Sequence, residues 1–350
     1  MTLSDPSARP INAPAASSDR AIGWWLVACC VLLFAMVVVG GATRLTNSGL
    51  SIVEWKPLVG AIPPLSEAAW IETFAKYQQT PEFKLKNFDM TLDGFKGIFW
   101  WEYFHRLLGR LIGVVFLVPF LWFLARGRLS PELRWKLGGI FLLGALQGGM
   151  GWYMVQSGLV NEPRVSHLRL TAHLGLAFVI FAAQWWLALS LLTKPEPRTV
   201  PKGLRRFSRW VVAIVFLMVL SGGMVAGLRA GYAYNTFPLM HGHVIPPDLL
   251  ILDPWTSNFI WNMTTIQFNH RMIAWLLVLL IPLLCWRTWR AGLSRTTSLC
   301  VIGLLAALAM QFALGVATLI HVVPVPLGVA HQGGAMALFC MALTLAHRLR

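Results

Sequence analysis

Apolar residues run along this chain in long unbroken stretches, and polar residues gather in the gaps between them. The first stretch, Ile22 to Val39, is followed by seven more near 104 to 124, 137 to 156, 170 to 192, 210 to 228, 268 to 287, 299 to 320 and 327 to 346. Each is close to the roughly 20 residues that a helix needs to cross a bilayer. The pattern therefore predicts an all-α integral membrane protein with eight transmembrane helices. No small-residue cleavage pattern follows the first stretch, which reads as a retained helix and not a signal peptide. Residues 1–20, rich in Ser, Ala and Pro, read as a disordered cytoplasmic tail. The longest gap, 44–99, holds Pro57, Pro63, Pro64 and Pro81, which break helices and predict a folded cap of short ones.

The stretches also repeat. Gly40-Gly41 returns as Gly222-Gly223, Glu102-x-x-His105-Arg106 as Gln267-x-x-His270-Arg271, Gln147 as Gln311, and Ala172-His173 as Ala330-His331. The offsets are 182, 165, 164 and 158, so they drift only by loop length. Each half holds four helices, an even number, which gives the halves the same orientation and a pseudo-twofold axis along the membrane normal. The expected architecture is two pseudo-symmetric four-helix bundles, 21–193 and 210–350, joined by a cytoplasmic linker, 194–209.

Charge changes the picture in one respect. A net charge of +15 raises nucleic acid as a partner, but the basic residues sit in clusters between apolar stretches, and that placement excludes it. With the amino terminus inside, the inner connections carry thirteen Lys and Arg residues and the short outer ones only Arg164, Arg169 and Arg229. Both termini are thus expected in the cytoplasm. With 57% hydrophobic and 12% charged residues and a mean hydropathy of +0.63, the chain has too little polar surface for a soluble globule. Its five cysteines all lie in or beside apolar stretches with no CxxC spacing, and read as small core residues, not zinc ligands or disulfides.

Four histidines fall at repeat-equivalent positions, His105, His173, His270 and His331. Each is expected near the outer end of an even-numbered helix, two per bundle. A lone histidine on an apolar helix is more often a hydrogen-bonded core residue. Two facing one another across a four-helix bundle form a bis-histidine haem site, with the macrocycle in the apolar interior. Zinc or di-iron sites would need more ligands than either bundle supplies. Arg106 and Arg271, next to ligand candidates, are candidates for haem propionate contacts; snorkelling to the interface is the alternative. His167, His241, His243, His321 and His347 have no repeat partner and read as loop or helix-end residues. Glu102 differs from its counterpart Gln267 in being able to hold and release a proton. It is the candidate catalytic acid/base, the alternative being a partner that orients His105. One bundle would then react on its haem while the other holds one.

These residues carry a resemblance. The stretch Gly40-Gly41-Ala42-Thr43-Arg44-Leu45-Thr46-Asn47-Ser48-Gly49-Leu50-Ser51, the stretch Glu102-Tyr103-Phe104-His105-Arg106, Gln147-Gly148-Gly149-Met150-Gly151 and the placement of His173, His270 and His331 resemble haem A synthases of the mitochondrial and alphaproteobacterial type. The resemblance implies oxidation of the C8 methyl of haem O to a formyl group, through a hydroxylated intermediate, to give haem A for terminal oxidases. It implies His105 and His173 as axial ligands of the substrate haem with Glu102 catalytic, and His270 and His331 as axial ligands of a haem B cofactor. The implied partners are haem O, the farnesyltransferase that makes it, an electron donor the sequence does not identify, terminal oxidase assembly factors and, as an open option, a second copy of the chain. The implied location is the bacterial inner membrane. Some bacterial members carry cysteine pairs in their outer loops; this chain has none there. A dihaem electron-transfer cytochrome is the competing reading, and it leaves the difference between Glu102 and Gln267 unexplained.

Overall fold

The computed structural model describes residues 13–55, 59–160 and 162–350. Apart from one isolated bridge between Met240 and His243, its regular elements are helical. In chain order the α-helices are α1 (Ala13–Leu45), α2 (Glu67–Gln78), α3 (Pro81–Lys86), α4 (Leu92–Ala125), α5 (Pro131–Gln156), α6 (His167–Leu192), α7 (Lys202–Leu228), α8 (Asn258–Trp261), α9 (Met263–Arg290), α10 (Arg295–Ile320) and α11 (Val325–Arg348). The protein is an all-α, multi-pass membrane protein. Among the described residues seven helices, α1, α4, α6, α7, α9, α10 and α11, are long and apolar enough to cross a membrane. Helix α5 matches their length but not their hydropathy, because Arg134, Lys136, Gln147 and six glycines dilute it.

Several boundaries differ from expectation. Residues 1–12 of the expected tail lie outside the described residues, and 13–20 belong to α1. The expected linker, 194–209, is helical from Lys202 onward. Helix α4 begins at Leu92, not near 104, so His105 stands in its fourth turn and not at its start. The reason is that Thr91 caps the helix by accepting from the Gly94 backbone N–H, a bond that satisfies one of the orphan donors of a helix start. The early turns then bury Phe95, Phe99 and Tyr103 under the cap instead of in lipid.

Helix α1 packs against α4, α6 and α11, and α5 closes the first group by packing on α4 and α6. Helix α7 packs against α6, α9 and α11, and α10 packs on α9 and α11. A central core joins Leu33 and Val37 of α1, Phe178 and Phe181 of α6, Val211, Val215 and Val219 of α7, and Phe339 of α11. Lipid is as apolar as these side chains, so close packing and interhelical hydrogen bonds hold the seams. Gly41 shows how: a Cβ there would stand 2.7 Å from Gln332 Oε1, and that amide, brought so close, donates to the Val37 carbonyl at 2.8 Å.

The two ends of the helices are tied differently. Between α6 and α7, the carboxylate of Glu196 accepts from the Ser294 N–H at 3.1 Å, the Ser294 hydroxyl at 2.6 Å and the Thr297 hydroxyl at 2.5 Å. Arg348 of α11 lies 3.7 Å away. Burial alone would raise this carboxyl, but the hydrogen bonds prevail and hold it below its ordinary range. At the opposite end, residues between α1 and α4 fold into the expected cap. Tyr77 stacks on Phe95, ring centroids 5.2 Å apart, and Trp70 meets Phe99 edge-on at 4.8 Å. Beneath them Glu82 is buried, with the Tyr77 hydroxyl donating to it at 3.3 Å. Burial pushes the Glu82 carboxyl up to about 7.

Candidate haem sites and the cap clamp

The four histidines sit on α4, α6, α9 and α11. Helices α4 and α6 face one another without a packed seam between them, as do α9 and α11. His105 and His173 lie close enough for a charge on one to be felt at the other, and so do His270 and His331.

Each imidazole rests on a glycine of the neighbouring helix. A Cβ on Gly40 would stand 2.9 Å from His105 Cε1, one on Gly151 3.0 Å from His173 Cε1, one on Gly222 3.3 Å from His270 Cε1, and one on Gly315 2.9 Å from His331 Cε1. Real Cβ atoms almost never come under 3.0 Å, so a side chain on Gly40 or Gly315 would displace the ring, and one on Gly151 or Gly222 would crowd it. Gly151 and Gly315 stand 164 apart, the same offset as Gln147 and Gln311. That shared offset is the signal by which Gly315 was recoverable from the sequence.

Ring polarity separates the sites. The Nδ1 atoms of His105, His173 and His331 are buried without a hydrogen-bond partner among the described residues, and so are the side-chain carbonyls of Gln147, Gln267 and Gln311. His270 Nδ1 instead meets the Ser221 hydroxyl at 2.9 Å; the equivalent position in the first half is Val39. Gln147 Nε2 donates to the His173 carbonyl at 3.1 Å and lies 3.4 Å from His173 Nε2. Orphaned buried polar atoms carry a cost of about 1–3 kcal/mol each, which an external ligand can offset. Paired imidazoles in an apolar interior, with glycine clearances and unspent polar atoms, fit a bis-histidine haem. No group of three or more His, Cys, Asp or Glu side chains suited to a bare metal ion occurs among the described residues.

Glu102, Arg106, Gln267 and Arg271 are built into a different device. Glu102 Oε2 accepts from the Ser51 hydroxyl at 2.7 Å and the Ile52 N–H at 2.8 Å. Its Oε1 accepts two bonds from Arg106, at 3.0 and 2.6 Å. Arg106 also donates to the carbonyls of Ile52 at 2.7 Å and Glu54 at 3.2 Å. In the second half Arg271 donates to the carbonyls of Tyr234 and Thr236, both at 2.9 Å, and Gln267 donates to Tyr234 at 3.0 Å. Tyr234 and Thr236 are Ile52 and Glu54 displaced by 182. Both arginines, expected near haem propionates, thus clamp the loop that follows the first helix of their half. Sequence reasoning missed the clamp and its partners Ser51 and Ile52, because the loop carbonyls carry no mark in the sequence.

The remaining histidines have other company. The His167 ring meets Trp261 edge-on at 4.6 Å, His241 packs on Tyr234 at 4.7 Å, and His347 lies 3.1 Å from the Ser190 hydroxyl and packs on Trp186. His321 caps the end of α10, and His243 forms the bridge with Met240. The five cysteines are free.

Comparison with known proteins matches this architecture to a family. Residues 23–343 match the COX15-CtaA family, described as cytochrome oxidase assembly protein. A heme A synthase of Nitrosospira multiformis is 58% identical over 335 residues, covering 95% of this chain and 94% of the relative. A heme A synthase of Nitrosomonas eutropha is 52% identical over 97% of this chain and 98% of its own length. One of Rhodospirillum centenum is 47% identical over 99% of this chain and 92% of its own length. With its fold, paired histidines and full-length relatives together, the chain belongs to the COX15-CtaA family of cytochrome oxidase assembly proteins.

Proposed function

We propose that the protein is a haem A synthase, an oxidoreductase that converts the C8 methyl of haem O to a formyl group. The observation that carries this reading is the fourfold placement of a histidine over a glycine at repeat-equivalent sites. All eight long helices cross the membrane, as two four-helix bundles about a pseudo-twofold axis, with both termini in the cytoplasm of a bacterium and the cap outside. Two features support that arrangement. Each seam between long helices has a counterpart in the other half: α1 on α4 as α7 on α9, α1 on α6 as α7 on α11, and α1 on α11 as α7 on α6. Asn47 and Arg229, displaced by 182, bond to one another at 2.6 Å, a contact equivalent residues make only beside such an axis.

His105 and His173 hold the substrate haem, and His270 and His331 hold haem B. When bound, haem B supplies one-electron transfer beside the substrate. The protein's own groups do the rest. The glycines under each ring fix imidazole orientation, so the macrocycle is held in one pose. Tyr103, which donates to the Ala61 carbonyl at 2.8 Å, and the aromatic core around it close the cap over the first site and exclude water. Glu102 keeps a buried carboxylate one turn from His105, with Arg106 stabilising its charge. Oxidising a methyl to a formyl group releases protons, and Glu102 is the acceptor, a role Gln267 cannot fill.

The test is chromatography with mass spectrometry of haem extracted from the purified protein, coexpressed with a haem O-producing farnesyltransferase. Haem B with haem O, its hydroxylated form or haem A is expected. Glu102→Gln should retain both haems and abolish the hydroxylated form and haem A. Haem B alone in the wild type would make the protein an electron-transfer cytochrome.

A further inference from the structure

With Arg106 and Arg271 committed to loop carbonyls, the carboxylates of a bound haem need another cation. Arg44 is placed to supply it. It stands four residues beyond Gly40 near the end of α1, and residues i and i+4 share a helix face. Gly40 is the residue on which His105 rests. Its neighbours bracket its direction: the Thr43 hydroxyl reaches the Trp101 carbonyl of α4 at 3.2 Å, whereas Leu45 packs on Gly328 of α11. Arg44 therefore occupies the face of α1 between α4 and α11, one turn from the glycine under His105 and toward the cap.

Two further observations single it out. Arg44 makes no hydrogen bond or ion pair among the described residues, although it is half-buried. Its charged neighbours, Arg229 from the end of α7 and Arg164 from the α5–α6 loop, have its own sign. An arginine in that setting is repelled by its surroundings and is stabilised by an anion. The counterpart in the second half, one turn beyond Gly222, is Ala226, so the feature belongs to one site only.

We propose that Arg44 binds a propionate carboxylate of the haem substrate in the first site, so that this site selects a haem by its acidic edge as well as by its iron. The proposal rests on the reading of His105 and His173 as the substrate site. Arginine takes a carboxylate through two parallel N–H donors, and the shared positive potential of Arg164 and Arg229 favours the dianionic ligand.

The test compares haem O with its dimethyl ester, which keeps the iron, ring and farnesyl chain but carries no anionic carboxylate. Protein made without the farnesyltransferase is titrated with each, and binding is read from absorbance changes that disappear in His105→Ala. Arg44→Ala should weaken haem O binding about 10- to 100-fold, the range for a charge-assisted hydrogen bond, and leave the ester's affinity unchanged. Arg44→Lys should fall between. Haem B retained by the variants reports an intact fold, and Arg44→Gln replaces Arg44→Ala if the latter loses it. Equal weakening of both ligands, or of neither, would overturn the proposal alone. A wild type whose haem O binding ignores His105→Ala would overturn the site assignment beneath it.

Discussion

Raising the pH through neutrality should loosen the cap, and Glu82→Gln should remove that sensitivity. Glu82 is 4% exposed, and burial is the main reason its carboxyl is raised from 4.5 to about 7. Glu102 adds a smaller push the same way, against which Lys86, Arg229 and the Tyr77 hydroxyl act. Below pH 4.5 the group is protonated whether the cap is closed or open, and closure bears no penalty. Above 7 it is ionised in both, and the closed cap holds a charge that burial disfavours. The penalty thus grows as pH rises between those values, and is complete above the closed-state pKa. A shift of this size is worth roughly 3 to 4 kcal/mol, or about 300-fold in the opening equilibrium. Hydrogen exchange of α2 and α3, with each rate divided by its intrinsic rate at that pH, reads this equilibrium directly. Wild-type protection should fall from pH 5 to pH 8, while Glu82→Gln stays flat and exceeds wild type at pH 8. Wild-type protection that does not change with pH, or a variant that tracks it, would refute the assignment of a buried, neutral-range carboxyl.

Two more outcomes follow from the contacts. Gly315→Ala places a methyl 2.9 Å from His331 Cε1 and should empty the second haem site while sparing the first. Haem content would fall from two per chain to one, with the His105→Ala variant losing the other; two haems in Gly315→Ala would refute the clearance argument. Glu196→Gln removes the charge that Ser294, Thr297 and Arg348 converge on and should cost about 1–3 kcal/mol, seen as a lower thermal midpoint at pH 7. Because the folded carboxyl is held below its ordinary range, its contribution is present above the unfolded pKa and lost as pH falls through the folded one. Variant and wild type should therefore converge in acid.

The histidines were legible in the sequence as candidates because the repeat marked them. Offsets that relate His105 to His270 and His173 to His331 turned four unremarkable residues into two candidate pairs. The clamp was not legible, since Arg106 and Arg271 find their partners on backbone carbonyls whose position depends on how the chain turns after each first helix. Arg44 was visible only as one letter of a motif; its isolation needed the surroundings that Arg164 and Arg229 provide. The start of α4 was missed because its early turns bury aromatic rings under the cap, and an apolar stretch counted for lipid does not register a face covered by protein. Helix α5 shows the converse. Its length was legible, while the glycines that lower its hydropathy include Gly151, against which the His173 ring rests.

The bond between Asn47 and Arg229 has a consequence for how such a chain could arise. Two identical subunits meeting on a dyad must be self-complementary, and a residue beside the axis faces its own copy. Two arginines there would repel, and two asparagines would offer less. Covalent fusion lifts that restriction, because each half can change without changing the other. The acceptor on one side and the cation on the other form a pairing no homodimer could encode at that position. The same freedom lets Glu102 stand where the second half has Gln267, and Arg44 where it has Ala226, so a chain built this way can differ between its halves at the seam and away from it alike.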